Sequence, residues 1–424
     1  MKPSILVVSS FPPKGQTHNK KIVGVASYTK NLLFSLSGQK IVLAEKLPGE
    51  TNYTEGEIEV RRIWKRNSFL TFFQLFKEIH KFKEKTVLFE FEHAMFGGVL
   101  HLIPLPFFLF AAEKILGKKI FFVFHQVIGD IDSLSGHLNL KKNSLKTNIL
   151  NLMISIFYKM VLLTVNKVIV FEEELKQRLG NFQKIEVIPH GVERFDGKLT
   201  KRETRKKLGI PNKKFVLLCF GFLAWYKGSD LIIDKFANLP KKIKKDFLLI
   251  LAGGPNPNHT DKSFYNKYIN KVKEKAQKNA VLVTDFVPEE QIPLYFEASD
   301  FILFPYRTFI SASGPMSLAL SFEKPFLISP ALKAMTKTKD FAWAMRQSGI
   351  SQKDLIFYLD SKGLERMLKA LKTRNFRQNL VKFIKVLKNE RYFEKIAVNY
   401  ERILFQDSKE IAPKPYSSLD LELS

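Results

Sequence analysis

An alternation that runs through the chain twice constrains it more than any other feature. From the N-terminus, short apolar runs (SILVVSS at 4–10, then KIVLAE, EIEVRRIW, TVLFEFE, KKIFFVFH and KVIVFEE) are separated by helical stretches, the first an amphipathic one over 27–37. The pattern closes near IEVIPHG. These runs are almost continuously apolar, as strands are when both faces of a parallel sheet are covered. A charged stretch follows, VERFDGKLTKRETRKKLGIPNKK, and reads as a polar linker. The alternation then restarts with FVLLCFGF, FLLILAGG, NAVLVTDF, FILFPY, PFLIS and LIFYL. Two passes predict an α/β chain of two Rossmann-like units, with a ligand cleft beyond the carboxyl ends of the strands. The length of 424 residues agrees, since one hydrophobic core rarely serves so long a chain. Helices are expected over 361–405 and a loose tail from 406.

Several classes fall away. No GxGxxG follows the first strand: Gly15 lies in a loop and Gly24 stands alone before the first helix, which disfavours a dinucleotide oxidoreductase. There is no P-loop and no HExxH, and the eight histidines have no metal-ligand spacing, so no metal or cofactor is expected. Cys219, the single cysteine, sits in the apolar run FVLLCFGF and reads as a buried strand residue. The short apolar stretch of MKPSILVVSSF turns at once into Pro12-Pro13, unlike a signal peptide, and a cytoplasmic location is expected. Two apolar stretches invite a membrane reading. Val99 to Ala112 is short and contains Pro104 and Pro106; Ile149 to Phe171 is interrupted by Asn151, Lys159, Asn166 and Lys167, so neither is expected to span a bilayer.

The net charge of +27 points to anionic partners or to a solvated lysine-rich surface. Lys and Arg are spread along the chain without a zinc-finger, RRM or helix-turn-helix pattern, so no specific nucleic-acid partner is expected. Basic residues beside aromatic ones, 39 of them Phe, are compatible with peripheral contact on an anionic membrane.

Two turns carry the expected chemistry. The loop after FILFPY runs through Ser311 into a helix with Ser313 at its N-cap, then Gly314 and Pro315. A row of free amides at such a helix start suits a phosphate, with Ser311 and Ser313 as hydroxyl donors; an ordinary capped helix is the other reading. In GFLAWYKGSDLI, Gly221 ends a strand and Lys227 lies in the turn before a helix, where an ammonium can meet a pyrophosphate. His125 ends the strand KKIFFVFH and can donate to a sugar hydroxyl or merely cap the strand. His190 reads as fixing the turn with Gly191. Glu90, Glu92 and His93 cluster after TVLF and can face an acceptor.

With these segments in order, the chain resembles family 4 of the retaining glycosyltransferases, which have the two-domain GT-B fold. The resemblance rests on GVASYTKNLLFSL, IPHGVERF, GFLAWYKGSDLII, FVPEEQIPLYFEASDFILFPY, SGPMSLALSFEKPFLIS and YFEKIAVNYERIL. It implies an acceptor-binding domain over 1–197, a nucleotide-sugar-binding domain over 198–390, a helix over 391–405 crossing back to the first domain, and a flexible tail over 406–424. It also implies transfer of a sugar from a nucleotide diphosphate donor to a glycan or polyprenyl- or lipid-linked acceptor, in cell-surface polysaccharide or glycolipid synthesis. Gly24 would approach the donor phosphates, Lys227 the diphosphate and His125 the sugar; Ser313 with Gly314 would bind phosphate. Two family features have no counterpart. An arginine upstream of the lysine is replaced by the stretch containing Phe222, Ala224 and Trp225, and two glutamates with seven residues between them fall near Ile310 and Leu318. The missing glutamates motivate a second expectation, a catalytically weakened nucleotide-sugar-binding scaffold subunit of a glycan assembly complex.

Overall fold

A computed structural model describes residues 4–18, 22, 24–195, 197, 199–255, 263–279 and 281–405. The tail expected over 406–424 lies outside the described residues.

The first pass of the alternation forms an eight-stranded sheet, ordered β3-β4-β2-β1-β5-β6-β7-β8. Its strands are β1 Ser4–Val8, β2 Gln39–Glu45, β3 Tyr53–Glu55, β4 Ile58–Trp64, β5 Thr86–Phe91, β6 Lys119–Phe124, β7 Lys167–Val170 and β8 Ile185–Val187. All neighbours pair in parallel except β3 with β4. The polar run that forms β3 carries no apolar alternation, and it is a short antiparallel edge strand.

The second pass forms a five-stranded parallel sheet, ordered β11-β10-β9-β12-β13. These strands are β9 Phe215–Phe220, β10 Phe247–Ala252, β11 Leu282–Val283, β12 Phe301–Phe304 and β13 Phe326–Ile328. The run LIFYL, expected as a sixth strand, makes a single bridge from Ile356 to Ile328 and no ladder. Phenylalanine fills the space over the first sheet; Phe89 and Phe122, on adjacent strands, stack with ring centroids 5.1 Å apart. Cys219, on β9, is partly buried, and burial pushes its thiol up to about 12, far from a reactive thiolate.

The stretch read as a polar linker contains a helix, Lys201–Lys207, closed by a capping box between Thr200 and Glu203. Its basic residues face water, except that buried Arg205 turns inward. Arg205 donates to the carbonyl of Ala298 at 2.9 Å and to Asp300 at 2.6 Å, while Asp300 accepts from the amide of Val216. The stretch is thereby tied to the second sheet.

At the far end, the helix Arg374–Arg391 stops at Tyr392, and the helix Phe393–Leu404 packs against the first helix of the chain, Gly24–Ser35. Its Tyr400 hydroxyl meets that of Tyr28 at 3.0 Å, and Ile396, Ala397 and Leu404 share a core with Ile5 and Val7 of β1.

One membrane expectation changes. The helix over the second apolar stretch runs Leu145–Thr164, beginning four residues before the window read from sequence and ending before Lys167. Its 20 residues have a mean hydropathy of 1.4, long and apolar enough by length and composition to cross a membrane, and 22% of its 18-residue window is buried. Lys159 and Asn151 do not interrupt it: exposed Lys159 keeps its contact with water, and Asn151 accepts from the amide of Ile131 at 2.8 Å and donates to Asp130 at 3.0 Å.

Candidate functional site

The carboxyl ends of both sheets open on one cavity of about 300 Å³. From the first sheet come Glu92 after β5, His125 after β6 and His190 after β8. From the second come Phe220 to Phe222 after β9, Lys227, and the segment Ser311 to Pro315 after β12. The two sides are pinned together beside it. The amide of Val127 donates to the carbonyl of Ile310 at 3.2 Å, and Arg178 bridges the carbonyls of Val127 and Phe309 at 2.9 and 2.8 Å.

All seven residues expected from sequence to serve the site line this cavity: Gly24, His125, Gly221, Lys227, Ser311, Ser313 and Gly314. Gly24 begins the first helix and is exposed, with open space where a Cβ would project. Gly221 has φ +104°, and a Cβ there would stand 3.0 Å from the Lys227 ammonium and 2.9 Å from Pro315 Cγ. That φ favours glycine, and the absence of a side chain lets the ammonium and the helix start approach the same spot.

Lys227 ends the turn Trp225–Lys227. Burial lowers its ammonium to about 8, and no carboxylate among the described residues forms a salt bridge with it. It is the one lysine or arginine among the described lining residues. Arg307, on the next strand's loop, does not substitute for the missing family arginine, because it forms a fork with Asp230 at 2.8 and 2.9 Å and donates to the carbonyl of Trp225.

The helix start differs from expectation in one respect. Ser313 is the N-cap of the helix Gly314–Ser321, its hydroxyl accepting from the amide of Met316 at 3.3 Å and lying 3.0 Å from the Tyr306 hydroxyl. The amides of Met316 and Ser317 also reach the Ser313 carbonyl, at 2.9 and 3.1 Å, and Pro315 has no N–H. The expected row of free amides therefore shrinks to that of Gly314. Ser311 stands opposite Gln126 of the first unit in an isolated antiparallel bridge, where the two sides join.

His125 is buried, and its Nε2 lies 2.6 Å from a carboxyl oxygen of fully buried Glu90. Burial drives the imidazole down to about 3 and the Glu90 carboxyl well above its ordinary range. Both shifts favour the neutral pair, in which the carboxyl proton donates to Nε2 and the ring N–H stands on Nδ1. Glu90 thus positions His125 rather than facing an acceptor, and His93 is also turned aside, 3.1 Å from the Tyr158 hydroxyl. Of that cluster only Glu92 lines the cavity, accepting from Gln126 at 2.9 Å. His190 bonds the carbonyl of Gly191 at 2.8 Å, the turn-fixing arrangement read from sequence.

Sequence reasoning missed Glu193, which lines the cavity and accepts from Asn31 at 2.5 Å, with His18 3.8 Å away. No local spacing links these residues, which lie 162 positions apart in the case of Asn31 and Glu193. Leu318 lines the cavity, whereas Ile310 is buried beside it. Among the described residues no group of three or more His, Cys, Asp or Glu is placed to hold a metal ion.

Residues 200–335, which contribute Gly221, Lys227 and the Ser311–Pro315 segment, match the family model described as glycosyl transferases group 1. The chain has the GT-B fold. Solved structures share the GT-B fold over nearly the whole length. A sucrose-phosphate synthase from Thermosynechococcus elongatus aligns with TM-score 0.67 and 14% identity, covering 95% of this chain and 98% of that one. Anabaena HepE, solved with UDP and glucose, aligns with TM-score 0.63 and 14% identity over 95% of this chain and 100% of that one. In sequence, the chain is 29% identical over 171 residues to an alpha-monoglucosyldiacylglycerol synthase of Streptococcus pneumoniae, covering 37% of this chain and 34% of the relative. It is 35% identical over 126 residues to a lipopolysaccharide core biosynthesis mannosyltransferase of Rhizobium meliloti, covering 28% and 34%. The chain spans 23% to 34% of the length of the curated relatives it matches.

Proposed function

We propose that this protein is a retaining glycosyltransferase of family 4, moving a sugar from a nucleoside diphosphate donor to a hydroxyl of a glycan or lipid-linked acceptor in cell-surface polysaccharide or glycolipid synthesis. The observation that carries this reading is the half-buried Lys227 ammonium, which lines the cavity with no carboxylate partner among the described residues, beside Gly221 and the start of the Gly314–Ser321 helix. A partly desolvated cation with no partner is costly until an anion arrives, and a diphosphate is such an anion. HepE was solved with UDP-glucose, and two sequence relatives carry names of lipid or lipopolysaccharide glycosylation, which supports the donor and acceptor classes.

The bond between the anomeric carbon and the donor phosphate breaks, and its electron pair leaves with the diphosphate. Lys227 and the Gly314 amide stabilise the charge that grows there. The acceptor oxygen bonds the anomeric carbon from the same face, and its proton passes to the departing phosphate, so no protein nucleophile or resident cofactor takes part. His125, held by Glu90, offers its Nδ1 proton to a sugar oxygen. The donor is a charged, impermeant molecule, which puts the reaction on the cytoplasmic side.

Lys227→Ala tests the reading by titration calorimetry. Loss of a charge-assisted contact worth about 1.5–3 kcal/mol predicts UDP or GDP affinity lowered tenfold or more with the unfolding midpoint retained. Unchanged affinity overturns the assignment.

One observation favours a second reading. Ile310 and Leu318 are apolar, and no carboxylate from the second unit lines the cavity among the described residues. A scaffold subunit that binds nucleotide-sugars without turnover accounts for that. Release of nucleoside diphosphate from a panel of donors and acceptors decides for the enzyme; binding with no release decides for the scaffold.

A further inference from the structure

An extended apolar surface among the described residues lies outside the cavity, on the first unit. The Leu145–Thr164 helix buries Thr147, Tyr158, Val161 and Leu162 against the fold and turns Leu145, Ile149, Leu152, Ile156 and Leu163 outward. Leu163 is 85% exposed and Leu152 61%. Positions 145, 149, 152, 156 and 163 recur at helical spacing, so they form one continuous stripe. The helix Leu105–Lys114 packs beside it and leaves Phe107 and Phe110 exposed; the helix Thr71–His80 packs in turn beside that one and exposes Phe73. The face is much broader than the scattered apolar residues of an ordinary protein surface.

We propose that this face docks on an anionic lipid bilayer, with the Leu145–Thr164 helix lying in the plane of the interface. Charge selects this occupant. The stretch from Leu140 to Thr164 holds Lys141, Lys142, Lys146 and Lys159 and neither Asp nor Glu. Lys141, Lys142, Lys146 and Lys159 are all exposed beside the apolar stripe. Apolar side chains flanked by lysines match the boundary between acyl chains and anionic headgroups. A self-association surface, by contrast, would juxtapose these lysines with their own copies. Crossing the bilayer is excluded by the helix's anchorage: the Tyr158 hydroxyl accepts from the amide of Ile128 at 2.8 Å and bonds His93, which fastens the helix sideways to the sheet.

The same anchorage relates the surface to the cavity. Tyr158 binds Ile128 and His93, and their near neighbours Gln126 and Glu92 line the cavity. Resting on the proposed function, this places an acceptor carried at the lipid surface next to the Glu92–Gln126 wall.

Co-sedimentation of the full chain with lipid vesicles tests the surface. Vesicles of phosphatidylcholine containing about one third phosphatidylglycerol are expected to bind the protein, and phosphatidylcholine alone to bind it much less. Leu152→Ser with Ile156→Ser is expected to lower partitioning at least tenfold, and Lys141→Ser with Lys142→Ser to abolish the preference for the anionic lipid. Both pairs are exposed, so the unfolding midpoint and UDP affinity should match the unaltered protein. Equal vesicle binding by the Leu152/Ile156 variant overturns the proposal. So does a stable dimer in vesicle-free solution that this variant dissolves, because the face then belongs to a second copy. Vesicle binding that persists in a protein unable to bind nucleotide upholds the surface and overturns the proposed function instead.

Discussion

The Lys227 ammonium and the Pro315 ring flank a single point: each stands about 3 Å from where a Cβ would project from Gly221. A strand end, a turn lysine and a helix start, separated by up to 94 positions, meet there because β9 and β12 are neighbours in the second sheet. The charge of the lysine and the space left by the glycine fall at the same place.

The first prediction concerns protons. Burial lowers Lys227 to about 8, so roughly half of it is neutral at that pH. A bound diphosphate favours the cation and restores the proton. Calorimetry of UDP binding in buffers of different ionisation enthalpy should show uptake of about half a proton at pH 8, little near pH 6, and affinity that falls as pH rises beyond 8. Lys227→Ala should abolish the uptake. Binding with no proton linkage in this window would mean the ammonium does not meet the diphosphate.

Two glycines near this lysine should respond differently. At Gly228, φ is +75° and a Cβ would lie 2.0 Å from the Pro305 carbonyl oxygen, an overlap with backbone. Gly228→Ala should cost more than about 3 kcal/mol of stability in denaturant titration. At Gly221 the new methyl would meet the ammonium end of a lysine, which can swing away. Gly221→Ala should cost about 1–3 kcal/mol of stability through its φ alone, yet lower UDP affinity tenfold or more by displacing Lys227. Equal stability losses with intact affinity in Gly221→Ala would refute the shared-point geometry.

A third prediction concerns Glu172, just past β7. It is fully buried, neither of its carboxyl oxygens is hydrogen-bonded to a described residue, and burial pushes it up to about 8 against the opposing pull of Arg391, 3.9 Å away. The folded protein therefore holds a proton between its ordinary value of 4.5 and about 8 that the unfolded chain releases. Stability contributed by this group falls as pH rises through that window. Glu172→Gln removes the dependence and should gain about 1–3 kcal/mol on the unaltered protein by pH 8, with little difference near pH 5. Parallel stability curves for the two proteins would show that Arg391 keeps the carboxylate ionised.

Much of the fold was legible because buried parallel strands must be nearly continuous in apolar residues, and eleven of the expected runs became strands. Misreadings came where local composition and packing diverge. The charged stretch around Arg205 looked like a linker because its lysines face water, while one inward arginine ties it to Asp300. Asn151 and Lys159 looked like interruptions in an apolar segment, yet the helix continues through both. The run LIFYL has strand composition but only a single bridge to β13.

At the site, the residue types were readable and their pairings were not. A lysine in a strand-to-helix turn and a serine before Gly-Pro are local signals, set by the few residues around them. Whether Ser313 offers its hydroxyl to a ligand depended on the Tyr306 hydroxyl and the Met316 amide, which use it in the structure. Glu90 was read as facing an acceptor, and it faces His125 because β5 and β6 lie side by side with Glu90 one register step from the strand end.

Acting alone, the amino-acid order determined the two α/β units, their strands and the glycines and lysine of the turns, since each reports burial or backbone freedom within a few residues. Tertiary structure decided which of those groups meet: Lys227 with the Gly314 helix start, Glu90 with His125, Asn31 with Glu193, and one apolar helix face with none of the protein. The physical reason is range. Hydrophobic periodicity is a property of neighbours along the chain, whereas charge pairing, desolvation and unpartnered surface depend on strand order and on which loops the fold brings together.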